Sequence, residues 1–409
     1  MKQKYNIGQV ITYAGAFIAL LIGSGFATGQ EILQFFSSYR LYGLIGIMIC
    51  FGLFTFAGLS FLNDGYYSKF EKPNEIYKLM CGNKIGTIVD YYAVFFIFLS
   101  YTVMIAGAQA TAVQHFNAPK YVGGAIMAAV VILVVMLGLG KIVDVIGKIG
   151  PVIAIMAIVI GLISIFMNMG NLQSSLDLMN KLVQSGQVKV ASKNFFLAAG
   201  SYVGFNMIWL VAFLAEVGNK AKSLKDAEAG VFVGSTGFSV AIFIMSIAII
   251  LSIPDLYDSQ IPVLVLAGKI HPVLATIFSI FIMLGIFTTS VPLLWTVTGR
   301  FFDEGTKKYK LFTLIAGVVG AIIGLTLKFD SLVNIVYVVN GYIGMVLLAW
   351  MIIRSASGKA KKQRMEAAQR NNIEFEEKNV DEDRSAIDYL VEKGHRGVPV
   401  INIEGEDIV

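Results

Sequence analysis

The sequence predicts an all-α polytopic membrane protein with ten transmembrane helices, arranged as two sets of five. Three observations carry this. The 409 residues are 56% hydrophobic and 14% charged, with a mean hydropathy of +0.72, whereas a soluble chain of this length needs far more polar surface. The charges are also confined to short patches, and the runs Tyr121 to Gly140 and Ile149 to Leu176 carry none. Runs of that length cross roughly 30 Å of hydrocarbon at 1.5 Å per residue. Finally, Lys and Arg fall mainly on alternate connections between the apolar runs, as expected where cytoplasmic loops retain positive charge.

Apolar runs and their breaks place spans near 10–36, 41–62, 87–113, 120–139, 145–168, 194–217, 229–253, 272–298, 311–327 and 331–352. The start, Met1-Lys-Gln-Lys4, is basic, but the apolar stretch behind it runs to Phe36 without a small-residue cleavage site, so the first span is read as retained. With the N-terminus in the cytoplasm, 16 basic residues of the first 354 lie on that side and 7 on the other. The same bias places the C-terminus in the cytoplasm, for a multi-pass protein of a bacterial cytoplasmic membrane. The net charge of +5 divides into +8 before residue 355 and −3 after it. Because the excess sits in short loops, it reads as topology and not as nucleic-acid binding. Connections 169–193 and 254–271 are long enough for surface helices. In the second, Pro254 to Pro262 precedes the apolar Val263–Ala267, a pattern suited to a cap dipping toward a vestibule. Two separated cysteines, Cys50 and Cys81, suggest neither a disulfide framework nor a thiolate site. The three His residues (His115, His271, His395) form no cluster in sequence.

The most informative segment is Leu21-Ile-Gly-Ser-Gly-Phe-Ala-Thr-Gly-Gln-Glu31. Gly23, Gly25 and Gly29 lie with Ser24 and Thr28 inside an apolar span. Clustered Gly permits unwound backbone, which a bilayer tolerates only where it lines protein or a cavity. Free amides there can hold a carboxylate and free carbonyls a cation. Close packing of an intact helix through small residues is the alternative. Span six carries a second Gly-Ser pair, Gly200-Ser201, with Gly204 nearby. Spans one and six open two sets of five that cross in opposite directions, so breaks at both are the trace of a midplane site in an inverted repeat. Span eight adds Gly285-Ile-Phe-Thr-Thr-Ser290, whose Thr288 and Thr289 offer hydroxyls one turn from the Gly285 carbonyl. Threonines in a helix also simply bond back to the preceding turn. Glu31 is an intramembrane carboxylate, a costly and functional feature. About 12 Å beyond Gly23 if helical, it reads as a vestibule gate or a group that titrates during transport. Glu216, near Asn219 and Lys220, reads as a solvated helix end, and Asp90 and Asp144 as cytoplasmic groups pairing with nearby lysines.

The ten-span 5+5 layout resembles the LeuT fold of the amino acid–polyamine–organocation superfamily. The string Gly-Ser-Gly-Phe-Ala-Thr-Gly-Gln-Glu looks like the signature of bacterial YkvI-like membrane proteins within it. The resemblance covers about residues 1–355, with repeats over 1–168 and 169–354 and broken helices one and six. It implies a secondary active transporter and not an enzyme, working by alternating access on a small-molecule solute. It further implies Na⁺ as coupling ion, with no organic cofactor. The ion would be held by Gly23 and Phe26 carbonyls and by Gly285, Thr288 and Thr289. The solute would meet Ser24, Gly25 and Thr28 of span one, Tyr101 or Thr102 of span three, and Ser201, Tyr202, Phe205, Asn206 and Trp209 of span six. Proton-coupled relatives place a span-five Lys at the ion position. Here Lys148 stands too near the cytoplasmic end, and no Lys follows in Ile149–Leu176. An amino acid or related small carboxylate is the expected cargo. A proton-coupled carrier or exporter of the same fold, or a solute-binding sensor without net transport, is the alternative.

Residues 355–409 form a polar tail. Its first part, 355–372, predicts a juxtamembrane helix whose Lys359, Lys361, Lys362 and Arg364 face anionic lipid. The remainder reads strand (Ile373–Asn379), helix (Ser385–Gly394), strand (Val398–Ile403) and a last short strand from Asp407. It resembles the second half of a glutaredoxin-like fold around Gly397-Val-Pro-Val400. No Cys-x-x-Cys accompanies it, so thiol redox chemistry is not expected here.

Overall fold

Asn6 opens the first helix, its side chain accepting from the Gln9 amide at 3.2 Å, and the glycine string closes it early. The computed structural model describes residues 5–22, 24–138, 143–371, 373, 401–403 and 406–408, with the backbone alone for Ser24, 143–151 and the two strands. Helix α1 (Ile7–Leu21) stops at Ile22; α2 (Ser24–Thr28) and α3 (Gln30–Phe35) resume the path. Gly29 joins them at φ +85°, the left-handed conformation that glycine adopts without steric cost. The first predicted span is therefore interrupted, as its sequence implies.

The chain continues through α4 (Leu41–Ser68), α5 (Glu75–Cys81), α6 (Asn83–Phe116), α7 (Val122–Leu137), α8 (Val143–Asn168) and α9 (Leu172–Gln184). Then follow α10 (Phe195–Lys220), α11 (Leu224–Leu251), α12 (Ile253–Leu256), α13 (Pro262–Ile270), α14 (Pro272–Gly299) and α15 (Lys307–Thr326). The last elements are α16 (Phe329–Leu332), a π-helical turn at Val333–Tyr337, α17 (Val338–Ala356) and α18 (Lys359–Arg370). Among the described residues, eight helical stretches are long and apolar enough to cross a membrane. Two shorter apolar helices, α1 and α7, stand where spans one and four are predicted, so ten exceeds the number that qualify by length.

Both long connections carry the expected helices. Helix α9 buries Ser175, Met179 and Leu182 along one face, and α13 buries Val263, Leu264, Leu266 and Ala267. The cap reaches the break: a Cβ on Gly29 would lie 2.7 Å from Val263 Cγ2 and 3.3 Å from the Val263 amide.

Span six departs from expectation. Helix α10 is continuous from Phe195 to Lys220, with no interruption at Gly200-Ser201 or Gly204. These small residues serve a helix crossing instead. Gly204 lies directly against the backbone of Gly341 and Gly344 in α17, and Gly200 against Met345, where a Cβ would stand 2.9 Å from the methionine Cε. Ser201 Oγ faces the same seam and donates to the Val338 carbonyl at 3.4 Å. Without an aqueous driving force between spans, such small-residue contacts let backbones approach and gain dispersion energy. The Gly-Ser pair has two physical uses, and here packing takes it.

The tail helix α18 is present, but it docks on protein. Its Ala360, Ala367 and Ala368 are buried, and Asn371 donates to the Tyr67 carbonyl at 2.8 Å. Arg364 meets Asp64 of α4, which corrects its expected place facing lipid. Of the predicted tail fold, only an antiparallel pair, β1 (Ile401–Ile403) and β2 (Glu406–Ile408), is described. Gly397-Val-Pro-Val400 and the predicted 385–394 helix lie outside the described residues.

Candidate functional site

The short helix α2 packs against both α14 and α6, so the broken first span is held in the interior. Thr28 is buried, donates to the Gly25 carbonyl at 3.0 Å and accepts from the Gln30 amide at 3.4 Å. Phe26 sends its ring to Phe238 of α11, with centroids 5.5 Å apart, while its carbonyl accepts from the Gly29 amide at 3.0 Å. Gly23, and the side chain of Ser24, lie outside the described residues.

Glu31 does not point outward to a vestibule. Its side chain folds back over Gly25, occupying the space that a Cβ there would need. It is 2% exposed, and the Tyr202 hydroxyl donates to it at 3.3 Å. No ion pair joins it to a cation among the described residues. Straight-helix spacing gave its expected height, but the left-handed turn at Gly29 redirects α3, so the carboxyl returns to the break.

Around Tyr202 the site is aromatic. Its ring meets Phe35 at 5.3 Å, Phe36 at 4.9 Å and Phe205 at 5.3 Å, all edge-on or tilted. Phe205 stacks on Tyr337 at 4.6 Å, Tyr337 stands edge-on to Trp209 at 5.8 Å, and Trp209 stacks on Phe96 at 5.5 Å. Such pairs add attraction beyond area burial. Within this wall Asn206 Oδ1, Trp209 Nε1 and the Tyr337 hydroxyl have no hydrogen-bond partner among the described residues. Asn206 and Tyr337 are fully buried, and polar atoms so placed ordinarily find partners.

Three of the four expected elements meet here, but span three contributes different residues. Tyr101 donates to the Gly317 carbonyl of α15 at 3.2 Å, and Thr102 to the Leu99 carbonyl at 2.7 Å. Both are therefore engaged away from α10. Phe96, more than a turn earlier, faces Trp209 instead. Sequence reasoning also missed Tyr337. It ends the π-helical turn, a wide turn often found at functional sites, and Val-Asn-Ile-Val-Tyr carries no composition signal for it.

In α14, Thr288 and Thr289 both donate to the Gly285 carbonyl, at 3.1 and 2.9 Å. Three oxygens thus lie together on one turn, as a cation site on this helix requires, though the same bonds describe ordinary back-bonding. No group of three or more His, Cys, Asp or Glu converges among the described residues. Toward the C-terminal end of α10, Glu216 pairs with Lys220 at 2.6 Å, as a solvated helix end does. Asp90 pairs with Arg300 of α14 at 2.5 Å and accepts from Asn74, so its partner is an arginine and not the lysines expected. Asp144 lies within the segment described by backbone alone.

No model of a protein family matches the chain. It is 23% identical over 353 residues to the "Uncharacterized membrane protein YkvI" of Bacillus subtilis (strain 168), covering 85% of this chain and 97% of that protein. The "Uncharacterized protein YyaD" of the same strain is 21% identical over 344 residues, covering 83% and 95%. Among solved structures, MhsT in complex with L-phenylalanine superposes with a TM-score of 0.56 at 16% identity, covering 86% of this chain and 90% of that one. Inward-facing Mhp1 gives 0.52 at 14% identity, covering 84% and 75%. The chain is a distant homologue of YkvI with the LeuT fold. The structural neighbours are transporters and not enzymes, and the broken first helix sits where that architecture is irregular.

Proposed function

We propose that this YkvI homologue is a secondary active transporter that takes up an amino acid or related small carboxylate with Na⁺ by alternating access. The interruption of the first span supports this reading: α2, bounded by Ile22 and Gly29, is buried against α14, the helix that carries Gly285, Thr288 and Thr289. Irregular backbone at membrane depth is tolerated where it lines a site. At this one carbonyls and hydroxyls replace a hydration shell. Na⁺ would bind between α2 and α14, with carbonyls from Phe26 and the neighbouring Gly23 joining the span-eight oxygens. The solute would lie between the broken span and α10, against Gly25, Thr28, Tyr202, Phe205, Asn206 and Trp209. Two five-helix repeats, 1–168 and 169–354, would rock about that site, with both termini in the cytoplasm. Coupling demands that ion and solute strengthen each other's binding by the same factor.

The test is a solute screen on purified protein by thermal stabilisation, with and without sodium. A hit should strengthen with sodium, and Thr288→Ala with Thr289→Ala should remove that dependence. If the double variant keeps the full sodium effect, the ion site is wrong. The buried Glu31 carboxyl favours a second reading, proton coupling; liposome uptake that ignores sodium and follows the pH gradient would replace the first reading with it.

A further inference from the structure

The polar groups at the break have one chemical bias. Glu31 contributes a buried carboxyl and Asn206, on α10 one turn beyond Tyr202, a carbonyl oxygen without a partner among the described residues. No Lys, Arg or His ion-pairs with Glu31 among the described residues. Among the described residues one hydroxyl serves this buried carboxyl, which leaves out most of the stabilisation that ionisation needs. Tyr202, whose hydroxyl meets it, begins a run of rings that continues through Phe205 and Tyr337 to Trp209, surfaces that attract a cation through the ring quadrupole. A carboxyl at the head of an aromatic run, with no cation of the described residues paired to it, is matched by a positively charged donor carried on an apolar body. The unpaired donors, Tyr337 hydroxyl and Trp209 Nε1, leave room for an acceptor elsewhere on the same solute.

We propose that Glu31 is the counter-charge for the ammonium group of the solute, so that the cargo is an amine with an apolar body. This rests on the reading of the space between the broken span and α10 as the solute site. It narrows the cargo from small carboxylates in general to those bearing an amine. It also assigns Glu31 to recognition, with Tyr202 as the positioning residue that holds its carboxyl over Gly25.

The experiment compares matched probes on the purified full-length protein: L-phenylalanine, phenethylamine and 3-phenylpropionate, with the corresponding triplets built on leucine and alanine. Affinities are read by thermal stabilisation in saturating sodium. Amine-bearing members should bind, and each deaminated acid should bind about 30-fold or more weakly, the scale for losing one partner of a buried charge pair. In Glu31→Gln the amines should weaken by about the same factor while the deaminated acids stay unchanged. Glu31→Asp, which keeps the charge, should retain the amine preference and shows that the site still folds. The assignment is overturned if a deaminated acid binds as tightly as its parent, if no amine in the series binds the wild type, or if Glu31→Gln keeps the preference. In that last case, loss of pH-gradient dependence would mark Glu31 as a proton carrier instead. Amines that bind in this pattern without accumulating in sealed vesicles would refute transport and leave the Glu31 assignment standing. Accumulation of a solute without an amine would do the reverse.

Discussion

Asp64, in α4, is fully buried between two guanidinium groups: Arg354 of α17 at 2.6 Å and Arg364 of α18 at 2.7 Å. The two arginines are not equivalent. The Arg354 side chain is 2% exposed and its Nη2 has no partner among the described residues, whereas the Arg364 side chain is 16% exposed and also donates to the Ser60 carbonyl at 3.2 Å. Removing Asp64 strands a buried guanidinium, and breaking a buried pair in this way costs roughly 3–5 kcal/mol. Removing Arg364 leaves the Asp64–Arg354 pair intact and forfeits charge-assisted hydrogen bonds at the rim, about 1–3 kcal/mol. Asp64→Ala should therefore destabilise clearly more than Arg364→Ala. Replacing all three by apolar residues (Asp64→Leu, Arg354→Met, Arg364→Met) should recover most of the Asp64→Ala loss, because desolvation of the ions disappears with their attraction.

Unfolding by SDS titration in mixed micelles, followed by tryptophan fluorescence, gives the ranking. Equal stabilities for Asp64→Ala and Arg364→Ala, within about 0.5 kcal/mol, would refute it. So would a triple variant weaker than Asp64→Ala. The same pairing predicts that Arg364→Ala loosens α18, which limited trypsin digestion would report as faster cleavage within 359–370, with the membrane helices still intact.

Two further expectations concern glycine. Gly344→Leu should separate α10 from α17, since a Cβ at that position already overlaps the Gly204 backbone; a loss of about 3 kcal/mol or more is expected from overpacking of backbone that cannot move aside, and wild-type stability would show the crossing to be looser. Gly29→Ala carries both the positive φ and the approach to Val263, so about 1–3 kcal/mol is expected. Val263→Ala should recover only the steric share, and full recovery would show that the backbone conformation is not strained.

The elements of this fold were legible because a bilayer writes its demands into composition. Apolar length located the eight helices that qualify among the described residues, and the glycine string located the break in the first span. Glycine placement in span six was ambiguous for a physical reason: a residue without Cβ serves unwound backbone and close helix approach equally well. Only the position of α17 against Gly200 and Gly204 decides between them. On α10 the expected residues divide: Tyr202, Phe205 and Trp209 join one aromatic wall, whereas Ser201 turns to the α17 seam. The site was illegible wherever direction depends on irregular backbone. A straight helix would carry Glu31 about 12 Å from Gly23, yet the turn at Gly29 brings its carboxyl onto Gly25. Tyr337 enters for the same reason, presented by a π-helical turn that its sequence does not announce.

Those two failures of sequence reasoning share a location. Glu31 and Tyr337 are misplaced by an ideal helix because the backbone before each departs from one, at Gly29 and at Val333–Tyr337. Both departures bring a polar group to the Tyr202–Phe205 wall, by hydrogen bond in one case and by ring stacking in the other. Irregular backbone in a membrane requires compensation by neighbours, and two such sites converging on one aromatic cluster are harder to attribute to packing than either alone. Gly25→Ala puts this to a direct test. The added methyl must displace the Glu31 carboxyl but leaves Tyr337 and the aromatic wall in place. If the cluster is a solute site, amine binding should fall while protein stability changes by no more than about 1–3 kcal/mol. If it is only packing, stability alone will move.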